Sequence, residues 1–241
     1  MFSLTCFNLS FTPSRRMFLL TILAVALFVR LGMWQLDRGH EKQQLLMASH
    51  AEAMRRPTSW RAQDALPKQY QTLQVTGHVL STTLLLDNQH YQHQFGYDVL
   101  SPLVLTDGSV VLVDRGWIMR DPQGYKLPDI DIPAGDLRVL GSAYYPSSKH
   151  WILGQALEEK SVNLVVVELI DIPLISQFLH KSVYPFIIRQ NKADANGYVR
   201  EWAIVSMPPT RHYGYAVQWF AIALVIFIIF IALNLKHTGN T

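Results

Sequence analysis

The chain has 241 residues, of which 49% are hydrophobic and only 16% are charged, against about 25% charged in an average soluble domain. This composition excludes a disordered chain and argues against a wholly soluble protein. The single cysteine, Cys6, excludes a disulfide framework. The net charge of +3 does not predict nucleic-acid binding, because the basic excess lies at the chain ends. Without Arg15, Arg16, Arg30 and Lys236, 17 of the 21 basic residues remain against 18 acidic ones.

Two apolar stretches predict membrane-spanning helices. Residues 17–36 match the ~20 residues that cross a bilayer as a helix, and residues 216–233 contain a single polar residue, Gln218. Because backbone groups inside a bilayer must be satisfied within their own segment, both stretches should be helical. The alternative for the first stretch is a cleaved secretory signal ending at Ala26. Apolar residues continue beyond Ala26, however, and favour an uncleaved anchor.

Basic residues at the membrane ends predict the orientation. Arg15 and Arg16 precede the first stretch and Lys236 follows the second, and such residues remain on the cytoplasmic side. Both termini are therefore expected in the cytoplasm, with one long region exported. The predicted parts are a cytoplasmic tail (1–16), a transmembrane helix (17–36), a β-rich periplasmic domain (37–211), a second transmembrane helix (212–235) and a cytoplasmic tail (236–241).

The exported region is predicted to begin with a continuation of the first helix and to proceed as strands. Residues 69–86 suit strands broken at Gly77, and the turn sequence 106–109 predicts a hairpin. Asp171 is placed to cap a short helix that runs to His180. The predicted strands are 97–105, 110–114, 137–145, 162–169 and a final pair, 184–189 with 197–205. The predicted fold class is an α+β membrane protein, with two transmembrane helices flanking a β-rich exported domain.

The exported region shows no convincing catalytic pattern. His90 and His93 have a spacing that metal ligands adopt on a helix, but their surroundings suggest a solvated loop between strands. Asp129 and Asp131 could act as paired carboxylates, although the neighbouring prolines favour a surface turn. No nucleophile elbow or phosphate-binding loop occurs. We therefore expect no enzyme activity.

Arg115-Gly116-Trp117 directly follows the second strand of the predicted hairpin. Glycine allows the backbone to turn or to be approached closely, and tryptophan offers a large anchor with a polar edge. Two interpretations remain open, a structural corner packed beneath Trp117 and a partner-binding motif formed by the three residues.

Each apolar helix carries a polar face at the predicted outer boundary. His212, Tyr215 and Trp219 share one face of the second helix. A neutral imidazole there could ligate haem iron or could simply be solvated among lipid headgroups. The cations on the first helix could pair with haem carboxylates or with phospholipid headgroups. The residues sharing that face are Gln35, Arg38 and Lys42.

Three motifs follow one another along the chain. They are Leu-Gly-x-Trp-Gln-Leu-x-Arg-x3-Lys at 31–42, Val-Asp-Arg-Gly-Trp at 113–117 and His-x2-Tyr-Ala-x-Gln-Trp-Phe at 212–220. Together they resemble the surfeit locus 1 (Surf1/Shy1) family, and the resemblance covers nearly the whole chain. Met119 departs from the proline that many members have at that position.

This resemblance implies an assembly factor for haem-copper cytochrome c oxidase that acts on subunit I. Bacterial members are thought to bind haem a, and His212 matches the family's proposed iron ligand. Subunit I and haem a synthase are the expected protein partners, with membrane lipid around the helices. The short leader suggests the inner membrane of a bacterium. The alternatives are a cofactor-free scaffold that stabilises oxidase assembly intermediates and, less favoured, a membrane-anchored enzyme.

Overall fold

The structure is a computed structural model that describes residues 4–6, 9–123, 126–133, 135–146, 157–161, 163–195 and 197–237. Val162, predicted to begin a strand, and parts of the two predicted tails lie outside these residues. The chain divides into two compact units. The helix unit comprises Met1–Met47 and Ile204–Thr241, and the β unit comprises Ala48–Ala203.

The secondary structure contains three helices and twelve strands within the described residues. In chain order they are β1 (Leu4–Cys6), β2 (Leu9–Phe11), α1 (Arg15–Ala53), β3 (Thr58–Ser59), β4 (Thr72–Val79), β5 (Thr83–Tyr91), β6 (Gln94–Val104), β7 (Val110–Met119), β8 (Asp136–Tyr144), β9 (Leu157–Ser161), β10 (Leu164–Val167), α2 (Ile172–Leu179), β11 (Val183–Gln190), α3 (Pro209–Asn234) and β12 (Leu235–His237).

The helix unit contains two helices, α1 and α3, that are long and apolar enough to cross a membrane. The apolar stretches of the sequence predicted both. Gly32 of α1 is buried, and a Cβ there would lie 2.5 Å from the ring of Phe220. Ala216 of α3 is fully buried. Small residues on both helices therefore permit close packing. Strands β1, β2 and β12 form a small antiparallel sheet.

The β unit is built on a nine-stranded sheet with the order β3-β4-β8-β11-β7-β6-β5-β10-β9. An additional pairing joins β4 to β6 through His78 and Val79, which closes β4, β8, β11, β7 and β6 into a ring. Closure removes the exposed edges that an open sheet of these strands would leave. One apolar cluster, including Leu73, Val113 and Phe186, lies on the face inside this ring.

A second apolar cluster lies on the opposite face of the sheet, beneath α2. Asp171 caps α2 by accepting a hydrogen bond from Leu174 N at 3.0 Å, and His180 ends it in the left-handed conformation. The sequence predicted both ends of this helix. Ile175 is 1% exposed and packs in one cluster with Leu112 and Ile187. Helix α2 therefore packs against this face at β7 and β11.

Two local predictions were wrong, and a third was wrong in part. Gly77 lies inside β4 instead of breaking it, because its missing side chain leaves room for Val104 O, which would be 2.4 Å from a Cβ. Residues 197–205 form one isolated bridge, between Val199 and Trp117, and no strand. The solvated loop predicted at His90 and His93 is confirmed only for His93, which forms a tight exposed turn with Gln92 between β5 and β6, whereas His90 lies within β5.

Candidate functional site

His212 and Gln35 join the two long helices of the helix unit. The Nδ1 atom of His212 lies 2.8 Å from Oε1 of Gln35. An amide oxygen only accepts, so Nδ1 donates and carries the imidazole proton. In the neutral ring, Nε2 then keeps its lone pair. This Nε2 is buried and has no hydrogen-bond partner among the described residues. The contact thus holds a histidine in the tautomer that leaves one nitrogen free to accept a metal bond.

The aromatic residues predicted beside His212 occupy different surroundings. Trp219 stacks on Phe28 of α1, with ring centroids 5.6 Å apart, so part of its ring is used in helix packing. Tyr215 is 43% exposed. Tyr215 therefore offers an open surface, whereas Trp219 contributes to the contact between helices.

The predicted cations of α1 are paired with an acid that sequence reasoning did not single out. Arg38 Nη1 lies 2.6 Å from Glu41 Oε2, and Lys42 Nζ lies 3.9 Å from Glu41 Oε1. The Arg38 and Glu41 side chains are 47% and 48% exposed. Exposed ion pairs contribute little to stability, so both cations can exchange Glu41 for another carboxylate at little cost.

Tyr213 forms a second polar bridge between the helices. Its hydroxyl donates to Gln43 Oε1 at 2.8 Å. A Cβ at Gly39 would lie 2.4 Å from the Tyr213 ring, so the glycine makes room for the ring. The spacing of small and aromatic residues was the available signal for this contact, but pairing across two helices cannot be read from either one alone.

Strand β7 continues beyond its predicted end at residue 114, so Arg115, Gly116 and Trp117 lie within the strand instead of following it. Both large side chains are nearly fully buried. Arg115 is 2% exposed and Trp117 is 8% exposed. Arg115 Nη1 donates to Asp131 O at 2.7 Å, and its guanidinium lies 5.2 Å from the Tyr198 ring centroid. Burial lowers the pKa of Arg115. The side chain of Arg115 thus fastens the 126–133 segment to the sheet.

Gly116 has a φ of 109°, and a Cβ there would lie 2.6 Å from Val199 O. This close approach allows Trp117 N to donate to Val199 O at 2.7 Å. The indole Nε1 donates to Gln89 O at 3.3 Å. Gly96 makes room for the indole, because a Cβ would lie 2.4 Å from it. The packing favours a structural corner, and a partner-binding role stays a prediction.

The SURF1 family model matches residues 22–224. This range includes most of both long helices and the whole β unit, and it contains all three sequence motifs. The chain belongs to the SURF1 family. A search among curated proteins found no match. The family is generally linked to the assembly of cytochrome oxidase, and it is not a known enzyme family.

The remaining candidates of this SURF1 family member do not assemble into a metal centre. Among the described residues, no group of three or more His, Cys, Asp or Glu side chains could hold a metal ion. The His90 ring lies 4.3 Å from the Phe95 ring on the β5–β6 hairpin. Asp129 and Asp131 are exposed in a segment without helix or strand, and the Asp131 carbonyl binds Arg115.

Proposed function

We propose that this SURF1 family member is an assembly factor for haem-copper cytochrome c oxidase that holds haem a for insertion into subunit I. The observation that carries the proposal is the buried, unpartnered Nε2 of His212, with Nδ1 fixed by Gln35. A histidine that ligates haem usually donates one ring N–H to a neighbouring acceptor and binds the iron through its other nitrogen. The residues present therefore fit the group.

His212 would ligate the iron, and Gln35 would fix the ring. Arg38 and Lys42 would exchange Glu41 for the carboxylates of the porphyrin, and the exposed Tyr215 and half-buried Trp219 would contact its ring. When bound, haem supplies an iron that accepts the imidazole nitrogen. Because Nε2 is fully covered, binding also requires the covering side chains to move aside.

The proposal extends to the protein's surroundings. Both termini lie in the cytoplasm, the β unit lies in the periplasm, and the helices cross a bacterial inner membrane, in agreement with the basic residues at the chain ends. Haem a synthase supplies the cofactor and subunit I receives it. Membrane lipid surrounds the exposed apolar side chains of both helices, such as Leu20 and Ile228.

A haem titration of the purified full-length protein in detergent tests the ligand assignment. We expect saturable binding by the parent and its loss in His212→Ala. Gln35→Ala should weaken binding about 10-fold or more, as removal of groups that orient metal ligands does. Arg38→Ala should weaken it less, because the side chain is half exposed. His78→Ala removes a histidine whose side chain is 61% exposed and serves as the matched control.

Two results separate this function from its alternatives. If the parent binds no haem but its deletion still lowers oxidase content in cells, the cofactor-free scaffold is correct. If His212→Ala binds haem as tightly as the parent, another residue is the ligand. Comparing haem a with haem b in the same titration identifies the haem type.

A further inference from the structure

The outer face of the β-unit sheet changes from apolar to charged along three neighbouring strands. Leu100, Leu112 and Ile187 lie on β6, β7 and β11 in the cluster beneath α2. Each of these strands also carries a charged side chain two residues away from its apolar residue, and therefore on the same face of the sheet. The charged residues are Asp98, Asp114 and Arg189, and Asp114 and Arg189 are direct partners in the pairing of β7 with β11.

These three side chains line a cavity of about 190 Å³. Leu86, Leu169 and Ile170 supply apolar walls, and the exposed Glu168 lies on its lining. The pairing of β6 with β7 is irregular between Asp98 and Leu100. Irregular pairing of this kind re-aims side chains and is common beside binding sites. The cavity thus combines charged side chains with apolar walls.

The carboxyl groups of the cavity destabilise the fold when they are ionised. Asp114 is 1% exposed, and burial together with the neighbouring Asp98 raises its pKa well above the usual range. Burial raises the pKa of Asp98 to about 6, while Arg189 acts in the opposite direction on both groups. Apolar residues would be at least as stable in these positions. Perturbed acids in a pocket are typical of functional sites.

Arg189 is held in place but retains an unused donor. Its Cζ lies 3.5 Å from the Tyr144 ring centroid and 5.2 Å from that of Trp202. Stacking uses the face of the guanidinium and leaves its N–H groups, which lie in its plane, for hydrogen bonds. The Nε atom is buried and has no hydrogen-bond partner in the part of the chain that the structure describes. A buried donor without an acceptor is costly, which points to a ligand oxygen that would fill this role.

We propose that this cavity binds a small zwitterion, with its ammonium group at Asp98 and Asp114 and its carboxylate or phosphate oxygen at Arg189. An ionised Asp98 repels a simple anion, and the guanidinium disfavours a metal cation. A ligand with both charges would offer an acceptor to Arg189 Nε and a positive charge to the two acids. A free amino acid and the phosphoethanolamine unit of a lipid headgroup share this chemistry. The proposal does not depend on haem binding by His212.

Isothermal titration of the full-length protein in detergent tests the site with four probes. L-Alanine and phosphoethanolamine carry both charges, whereas ethylammonium and acetate each carry one. We expect at least one zwitterion to bind about 10-fold or more tightly than either half-ligand. Preference for phosphoethanolamine, with competition by nanodiscs of phosphatidylethanolamine but not of phosphatidylcholine, indicates the lipid headgroup. Preference for alanine indicates a free amino acid.

Variants locate the binding. Asp98→Asn keeps the side-chain shape and removes a buried charge, so folding should be retained while affinity falls about 10-fold or more. Arg189→Gln should also weaken binding. Asp136→Asn removes an acid whose side chain is 81% exposed and should change nothing. The proposal is overturned if neither zwitterion binds saturably, or if affinity is unchanged in both Asp98→Asn and Arg189→Gln.

Discussion

In the β unit, Asp114 and Arg115 are only 1% and 2% exposed, whereas Arg38 and Glu41 in the helix unit keep about half of their side-chain surface exposed. The apolar windows of the two long helices are likewise only 6% and 17% buried. The β unit therefore covers its own charged groups at a cost in stability. The helix unit leaves its apolar and ionic groups exposed. Mutations in the core of the β unit should accordingly affect folding, whereas mutations on the polar face of the helix unit should affect binding.

The first prediction concerns the compartment in which each region lies. Its expected effect is the largest, because a reporter is either exported or retained. A reporter fused at Gln123, in the β unit, should score as exported. A reporter at the C-terminus, in the helix unit, should score as cytoplasmic, because basic residues flank both apolar stretches. The reverse pattern, or two exported reporters, would show that the orientation is wrong.

Trp117→Ala should cause the largest loss of stability. Removing a buried aromatic side chain from a core costs about 3–5 kcal/mol, and Trp117 is 8% exposed. Chemical denaturation of the full-length protein measures the change, with Phe95→Ala, at a side chain 61% exposed, as the control. If stability is retained while oxidase activity in cells falls, Trp117 contacts a partner. If both remain normal, neither interpretation of the motif holds.

Asp98→Asn should stabilise the protein at high pH. The pKa of Asp98 is raised from 3.8 to about 6, so the folded state holds more protons than the unfolded state between these values. Stability should therefore fall as pH rises through this window. The charged and titratable groups around Asp98 are Asp114, Arg189 and Glu168. We expect the variant to gain about 2 kcal/mol at pH 8 and almost nothing at pH 4.

Thermal unfolding of parent and variant across this pH range measures the difference. Asp136→Asn provides the exposed control. A constant difference between parent and Asp98→Asn at all pH values would mean that the carboxyl does not titrate in this window.

Gly32→Ala should have the smallest effect, and only in the helix unit. The new Cβ would lie 2.5 Å from the Phe220 ring, so the ring must move or α1 and α3 must separate, and we expect this to disturb the Gln35–His212 contact. We expect haem affinity to fall about 10-fold with no change in β-unit stability. Gly214→Ala is the matched control, because nothing lies within 4 Å of a Cβ there. Equal affinity in both variants would show that this helix contact does not position the ligand.

The sequence by itself determined the two long helices, the α2 helix with its cap, the β6–β7 hairpin and the family. These features depend on apolar length, on capping residues and on turn residues, all of which are local in the chain. The sequence also placed Gln35 and His212 on the correct helical faces, because helical spacing alone decides which residues share a face.

Only the tertiary structure decided how these faces meet. The Gln35–His212 hydrogen bond joins residues 177 positions apart, and the Asp98, Asp114 and Arg189 cavity requires β6, β7 and β11 to be neighbours. The final predicted strand failed for the same reason. Residues 197–205 have a strand-like composition, but Val199 pairs only where Gly116 lets the chain approach. Strand order and backbone approach depend on packing between distant segments, which local patterns do not specify.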